Sequence, residues 1–265
     1  MSFHTCISII PITGIPEIRP GNDLVKIVAD AVFKQDISII NGDIIVFAQK
    51  IISRAEGRVV KLREVHPSSF AIMVASELDK DPHIIDKDPH IIEVILGETK
   101  RIVKMDRGRL SKGRLIVETR SGITCANAGV DASNVSGGGM VTLLPLDPDA
   151  SAKRLVEGLK EELGINVAVI ITDTVGRPWR EGLTEIAIGC WGMKPLKDYK
   201  GQGDSKDYEL KATVIAVADE IAGAAGLVMG KTDSVPVVIV RGYSYEPGDM
   251  GVKELIRSRE DDLFR

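Results

Sequence analysis

Hydrophobic residues fall into short runs along this chain, and the spacing within each run predicts an element. Continuous apolar runs at 44–48, 167–171 and 237–240 predict strands, the first two of them buried. Shorter runs at 7–10, 58–61, 101–104, 115–118 and 140–144 predict further strands, with 184–189 and 211–216 as strand or mixed segments. Helical spacing predicts helices at 24–33 behind an Asn22-Asp23 cap, 68–78, 148–163 behind Pro148, 217–228 and 251–259. Strands follow strands too often for a doubly wound parallel sheet. The pattern therefore predicts an α+β fold with mixed, largely antiparallel sheets and helices.

One segment breaks the pattern. Asp79-Lys-Asp-Pro-His-Ile-Ile85 is repeated at once as Asp86-Lys-Asp-Pro-His-Ile-Ile92. Proline begins a helix but does not sit inside one, so the expectation is a single helix over 89–96 with the first copy as a lead-in. His83 and His90 owe their spacing to the duplication and carry no metal expectation.

With 265 residues the chain can bury a large core, built on Ile, Val, Leu and Ala because aromatics are only 4%. A net charge of −4 without a basic stripe gives no reason to expect nucleic acid. The first residues lack the charge and apolar run of a signal peptide, and no run approaches the ~20 apolar residues of a membrane helix. Cys6, Cys125 and Cys190 lie far apart with no metal spacing, as expected of reduced, mostly buried thiols in a cytoplasmic protein.

Candidate chemistry centres on two aspartates where buried strands are expected to end, Asp131 in Asn127-Ala-Gly-Val-Asp131-Ala-Ser-Asn134 and Asp173 in Ile171-Thr-Asp173-Thr174. A carboxylate beside a hydroxyl and a glycine turn suits Mg²⁺ or Mn²⁺, which completes its shell with water and phosphate oxygens. Taken singly, each is more often a turn residue. Arg177 and Arg180 follow Asp173 and could meet a phosphate or carboxylate. Gln49, Lys50 and Arg54 offer a second polar and cationic edge. Gly230-Lys231-Thr232-Asp233 ends like a phosphate loop, but it follows a helix and lacks the spacing, so it is not a Walker loop. It could still hold phosphate through its amides and lysine.

These segments, in this order, resemble the F420-0:γ-glutamyl ligase family. The resemblance rests on Gly14-Ile-Pro16, Ser53-Arg54-Ala-Glu-Gly57, both aspartate motifs, Leu144-Pro-Leu-Asp-Pro148, Val217-Ala-Asp-Glu-Ile221, Met229-Gly230 and Val240-Arg-Gly242. It implies a GTP-dependent ligase adding L-glutamate to the deazaflavin precursor F420-0 through γ-linkages, by way of an acyl phosphate. It further implies a cation (Mg²⁺ or Mn²⁺, with K⁺ as a further candidate) on Asp131, Asp173 and Thr174. GTP contacts would come from Thr13, Gly14, Ile15, Pro16, Arg54, Asn134, Met229 and the residues after it. Asp131 and Asp173 are expected to be catalytic, with Arg177 added from the residue reading alone. The resemblance also implies two intertwined subdomains and a homodimer. Where some relatives carry an acidic or amide residue after Met-Gly, this chain has Lys231, so a second metal position is not expected there and Lys231 would bind phosphate. Relatives with an added flavin-binding domain differ from this chain, for which no redox step is expected. Alternatives are a non-catalytic nucleotide- or deazaflavin-binding relative, or a ligase with another acceptor.

Overall fold

A computed structural model describes residues 6–78, 88–106, 114–131 and 139–262. The chain runs through β1 (Ser8–Ile12), α1 (Leu24–Lys34), β2 (Ile44–Ala48), α2 (Gln49–Ala55), β3 (Val59–Lys61), α3 (Ser69–Leu78) and α4 (Pro89–Glu98). It continues through β4 (Thr99–Asp106), β5 (Arg114–Thr119), β6 (Thr124–Ala126), β7 (Met140–Thr142), α5 (Pro148–Leu163), β8 (Ala168–Arg177) and β9 (Arg180–Trp191). It closes with β10 (Lys197–Asp198), β11 (Val214–Ile215), α6 (Val217–Met229) and β12 (Val237–Arg241).

The centre is a five-stranded sheet in the order β1-β12-β2-β8-β9. Only β2 and β8 run parallel within it; the other neighbours are antiparallel, in keeping with the α+β expectation. Because side chains alternate along a strand, β2 sends Ile45 and Phe47 to one face and Ile44 and Val46 to the other. The first face is covered by α1 and α5 through Val28, Val32, Leu155 and Leu159. The second is covered by α6 through Ala218, Ile221, Ala222 and Ala225. Burial on both faces accounts for the continuous apolar runs read in the sequence. A smaller apolar cluster joins α3 and α4 to β5.

Helix starts follow local chemistry. Asp23 caps α1 by accepting from the amides of Val25 and Lys26, and Asp147 caps α5 ahead of Pro148. Asp88 caps α4 ahead of Pro89 as the duplication predicts, and His90 turns back to Asp88. His83 lies outside the described residues.

Three expectations are corrected. Residues 49–55 form a helix that the sequence reading left unassigned. The segment 251–259 forms only a 3₁₀ turn over Val252–Leu255 rather than an α-helix. Most consequentially, the strand expected to stop at 171 runs on to Arg177, so Asp173 lies within a strand and not at its end. The apolar run ends where β8 leaves the core, but Thr172, Thr174 and Val175 are good strand formers and pair with β9 well beyond that point.

Candidate active site

Strand order gathers distant segments at one edge of the central sheet. Ile12, the last residue of β1, pairs with Val237, the first of β12. Val237 in turn pairs with Phe47 of β2, and Ala48 pairs with Thr172 of β8. The residues after β1, the residues before β12, the start of α2 and the Thr172-Asp173-Thr174 stretch therefore share one edge. It is the edge at which the parallel strands β2 and β8 point their carboxyl ends, the usual place for ligands in sheets of this kind.

The ribbon made by β8 and β9 supplies the charges. A register shift between Ile171 and Thr172 leaves one extra residue, Ile188, in β9. A bulge of this kind twists the ribbon and re-aims the side chains beyond it. Asp173, between Ile171 and Val175, then shares the face of the α1–α5 core, whereas Thr172 and Thr174 point to the α6 side. The carboxylate and the hydroxyl of Asp173-Thr174 thus leave the strand on opposite faces.

On the Asp173 face stands Asp131, paired through its backbone with Thr142 and held by Lys50 from α2, whose Nζ lies 2.6 Å from Asp131 Oδ2. Burial pushes the Asp173 pKa up to about 6, reinforced by the nearby carboxylates of Glu185 and Asp131 and opposed by the amide of Thr174 and by Lys231. A buried Asp173 carboxylate with a second carboxylate beside it forms a site in want of positive charge. Cys125, nearby in β6, is a buried thiol pushed up to about 12 by burial and by Asp173, and is therefore inert.

The α6 face holds a charge cluster that the sequence reading missed. Glu185 of β9 lies directly across from Thr174. Its Oε1 accepts from Thr174 Oγ1 and from Lys231 Nζ at 2.7 Å, and Thr174 Oγ1 also accepts from Lys231. Thr172 Oγ1 sits 3.0 Å from Glu185 Oε2 and 2.8 Å from Ile186 O, with one proton to share between them. Nothing local marks Glu185 as functional. The only signal is a carboxylate placed directly ahead of the apolar Ile186-Ala187-Ile188 run.

The remaining predicted residues divide. Thr13 is at the shared edge, braced by Gln35: its amide and hydroxyl reach Gln35 Oε1 at 3.2 and 2.8 Å, and Gln35 Nε2 donates back to Thr13 O. Gly14, Ile15 and Pro16 continue from it, and Gly14 has a φ of 71°. Met229 is buried in the core, with Gly230, Lys231, Thr232 and Asp233 leading out toward β12. Gly230 has a φ of 56° and a ψ of −158°, a backbone conformation that favours glycine. Gln49 is buried and its Oε1 accepts from Ser53 Oγ, so it serves α2 rather than the open edge. Arg54 is in the last turn of α2. Arg177 and Arg180 pair through their backbones at the exposed tip of the β8–β9 ribbon, four residues or about 13 Å along the strand from Asp173. Asn134 lies outside the described residues.

A cavity of about 230 Å³ opens elsewhere, lined by Arg120, Ser121, Asp149, Ile188 and Lys253 among others. None of the predicted site residues lines it. Its buried acid, Asp149, is committed to the amides of Cys190 and Val252 at 2.9 and 2.8 Å, so shape alone recommends this cavity and the chemistry does not. Among the described residues no helix is long and apolar enough to cross a membrane.

Whether a divalent ion fits can be judged from the donor set. Among the described residues no three His, Cys, Asp or Glu side chains form a ready metal group. That is no obstacle for Mg²⁺, which typically uses one or two carboxylates and takes its other ligands from water and phosphate. Asp131 and Asp173 fit that demand.

Comparison with known proteins decides the family. A family model described as F420-0:Gamma-glutamyl ligase matches residues 13–242. The chain belongs to the F420-0:γ-glutamyl ligase family. It is 43% identical to the coenzyme F420:L-glutamate ligase of Methanothermobacter thermautotrophicus, over 98% of this chain and 99% of that protein. It is also 41% identical to the ligase of the same name from Methanopyrus kandleri over 94% of each chain, and 38% identical to that of Archaeoglobus fulgidus over 98% and 96%. The family match spans both aspartates, the β8–β9 ribbon and the Gly230 turn.

Proposed function

We propose that this chain is a GTP-dependent ligase that joins L-glutamate to coenzyme F420-0 through an amide bond, any further glutamate being added through a γ-glutamyl amide. The observation that carries the reading is a pair of partly enclosed carboxylates, Asp131 and Asp173, at the carboxyl edge of the parallel strands in a chain of this family. In this reading Asp131 and Asp173 hold Mg²⁺ or Mn²⁺. The ion supplies charge neutralisation for the β- and γ-phosphates of GTP as the γ-phosphoryl group transfers. Thr174 turns to the opposite face, so the two aspartates would be the protein groups that hold the ion, with phosphate and water free to supply its other ligands.

Lys50 changes partner in this scheme. Were a divalent cation held by Asp131, the Lys50 ammonium, 2.6 Å from that carboxylate in this structure, would be available to donate to a phosphate oxygen. A terminal carboxylate of F420-0 attacks the γ-phosphorus, giving an acyl phosphate and GDP. The glutamate amine then attacks the acyl carbon, and phosphate leaves. The residues following β1 and those preceding β12 flank the carboxylates and suit the nucleotide. The exposed Trp179 (80%) and Leu183 (66%) near the ribbon tip support self-association as a homodimer, which light scattering would test.

The activity is tested by incubating the protein with F420-0, GTP, L-glutamate and Mn²⁺ and following products by mass spectrometry. Continued GDP release over many turnovers should need all four components, and should be accompanied by F420-0 enlarged by whole glutamyl residues. GTP turnover without F420-0, or no glutamylated product, would refute the reading. Asp173→Asn should lower kcat/KM by on the order of 10²–10³-fold at limiting metal; full turnover there would remove the aspartate from the cation.

A further inference from the structure

The β8–β9 ribbon carries negative charge on both faces, and the two faces are neutralised differently. On one face Asp131 and Asp173 are left for an ion once Lys50 departs. On the other, Glu185 is a nearly enclosed carboxylate whose side chain is 10% exposed, and a carboxylate so placed needs a counter-charge. The cation there is already part of the chain. Lys231 Nζ donates to Glu185 Oε1 and to Thr174 Oγ1, the kind of carboxylate and hydroxyl oxygens a hard divalent ion would use.

Several features build that placement. Lys231 has a side chain 66% exposed, yet its ammonium is drawn inward to the ribbon. The Gly230 turn, at a φ of 56° that favours glycine, follows α6 directly and leads into Lys231, whose ammonium reaches Thr174 of β8 and Glu185 of β9. Glu185 has room only because α6 presents glycine to it: a Cβ at Gly226 would lie 2.6 Å from Glu185 Cγ. Thr172 and Thr174 then fix both carboxylate oxygens in place.

We propose that the Lys231 ammonium is a built-in cation of the active site: it fills the place between Thr174 Oγ1 and Glu185 Oε1 that a second divalent ion would need, so that each chain takes one divalent ion, on Asp131 and Asp173. An ammonium in this place differs from a metal in kind. It cannot be chelated away, and it offers hydrogen-bond donors rather than open coordination positions. It therefore gives the site a constant positive charge beside the variable one. The inference rests on the cation reading given above for the two aspartates.

Counting Mn²⁺ ions tests it independently of turnover. The full chain is titrated with Mn²⁺ alone, and bound metal is read from loss of the free-ion paramagnetic resonance signal. The wild type should bind one Mn²⁺ per chain. Lys231→Gln and Lys231→Met, both at an exposed position, should each bind two, with unchanged far-ultraviolet circular dichroism. Two ions on the wild type, or no additional ion on either variant, would overturn the role of Lys231 while leaving the aspartate site standing. No tightly bound Mn²⁺ on any of the three proteins would instead reject the aspartate site, and this proposal with it.

Discussion

Asp173 carries the strongest electrostatic burden among the proposed site residues, and its sign can be worked out. Its pKa in the folded chain, about 6, lies above its ordinary 3.8. Between those values the folded chain keeps a proton that the unfolded chain has lost, so stability falls as pH rises through about 4 to 6 and stays lower above that. The linked loss is on the order of 2–3 kcal/mol. The cation-free protein should accordingly be less stable at pH 7.5 than at pH 5 for this group's part. Asp173→Asn should be more stable than the wild type at pH 7.5, with the gap closing toward pH 4. Urea unfolding of both proteins across that range measures it, and an equal gap at every pH would contradict the assignment. A buried carboxylate that weakens the cation-free protein fits a role fulfilled only when positive charge is bound.

At the scale of elements, the site depends on how closely α6 approaches β9. Gly223 and Gly226 form the contacting stripe, and Gly226 leaves just enough space for Glu185. Gly226→Val would push Glu185 off its threonines and away from Lys231. The expected outcome is a fold that persists, destabilised by about 1–3 kcal/mol through overpacking, with kcat/KM reduced at least about tenfold. Comparing thermal unfolding with glutamylation rate checks both parts; unchanged activity would show that the Glu185 cluster is dispensable. Element boundaries show where local sequence misleads. The apolar run 167–171 marks the buried half of β8, but the strand persists for six more residues because backbone pairing with β9 needs no burial. Conversely, residues 251–259 have helix-like spacing, yet Gly251 (φ 74°) packs against the carboxylate of Asp149, and the chain there is held by that acid accepting from the Val252 amide. A tertiary tie therefore overrode a local preference.

Across the whole molecule, the proposed site is a meeting of segments that the sheet alone brings together. A ligand spanning the end of β1, the start of α2, the middle of β8 and the turn before β12 would tie the central sheet together. Mn²⁺ with GTP should therefore raise the unfolding free energy by RT ln(1 + [L]/Kd), about 2.7 kcal/mol at a hundredfold excess over Kd, and the unfolding temperature with it. Differential scanning fluorimetry on the wild type and Asp173→Asn tests this, with little or no shift expected for the variant. An equal shift in both would place nucleotide binding elsewhere.

The sequence by itself determined the alternation of buried strands and capped helices, the α+β class, and the two aspartates as the foremost chemistry, together with a resemblance covering nearly the whole chain. These are legible because hydrophobic period, capping residues and motif spacing are local properties. Which charges meet was decided only in three dimensions. Lys50 holds Asp131, and Lys231 reaches Glu185 across 46 residues of chain. Glu185 itself was invisible beforehand, and Asp173 and Thr174, adjacent in sequence, were separated onto opposite faces. The physical reason is that pairing between distant charges follows strand order, register and a single bulge in β9, and no local pattern of residues encodes any of the three.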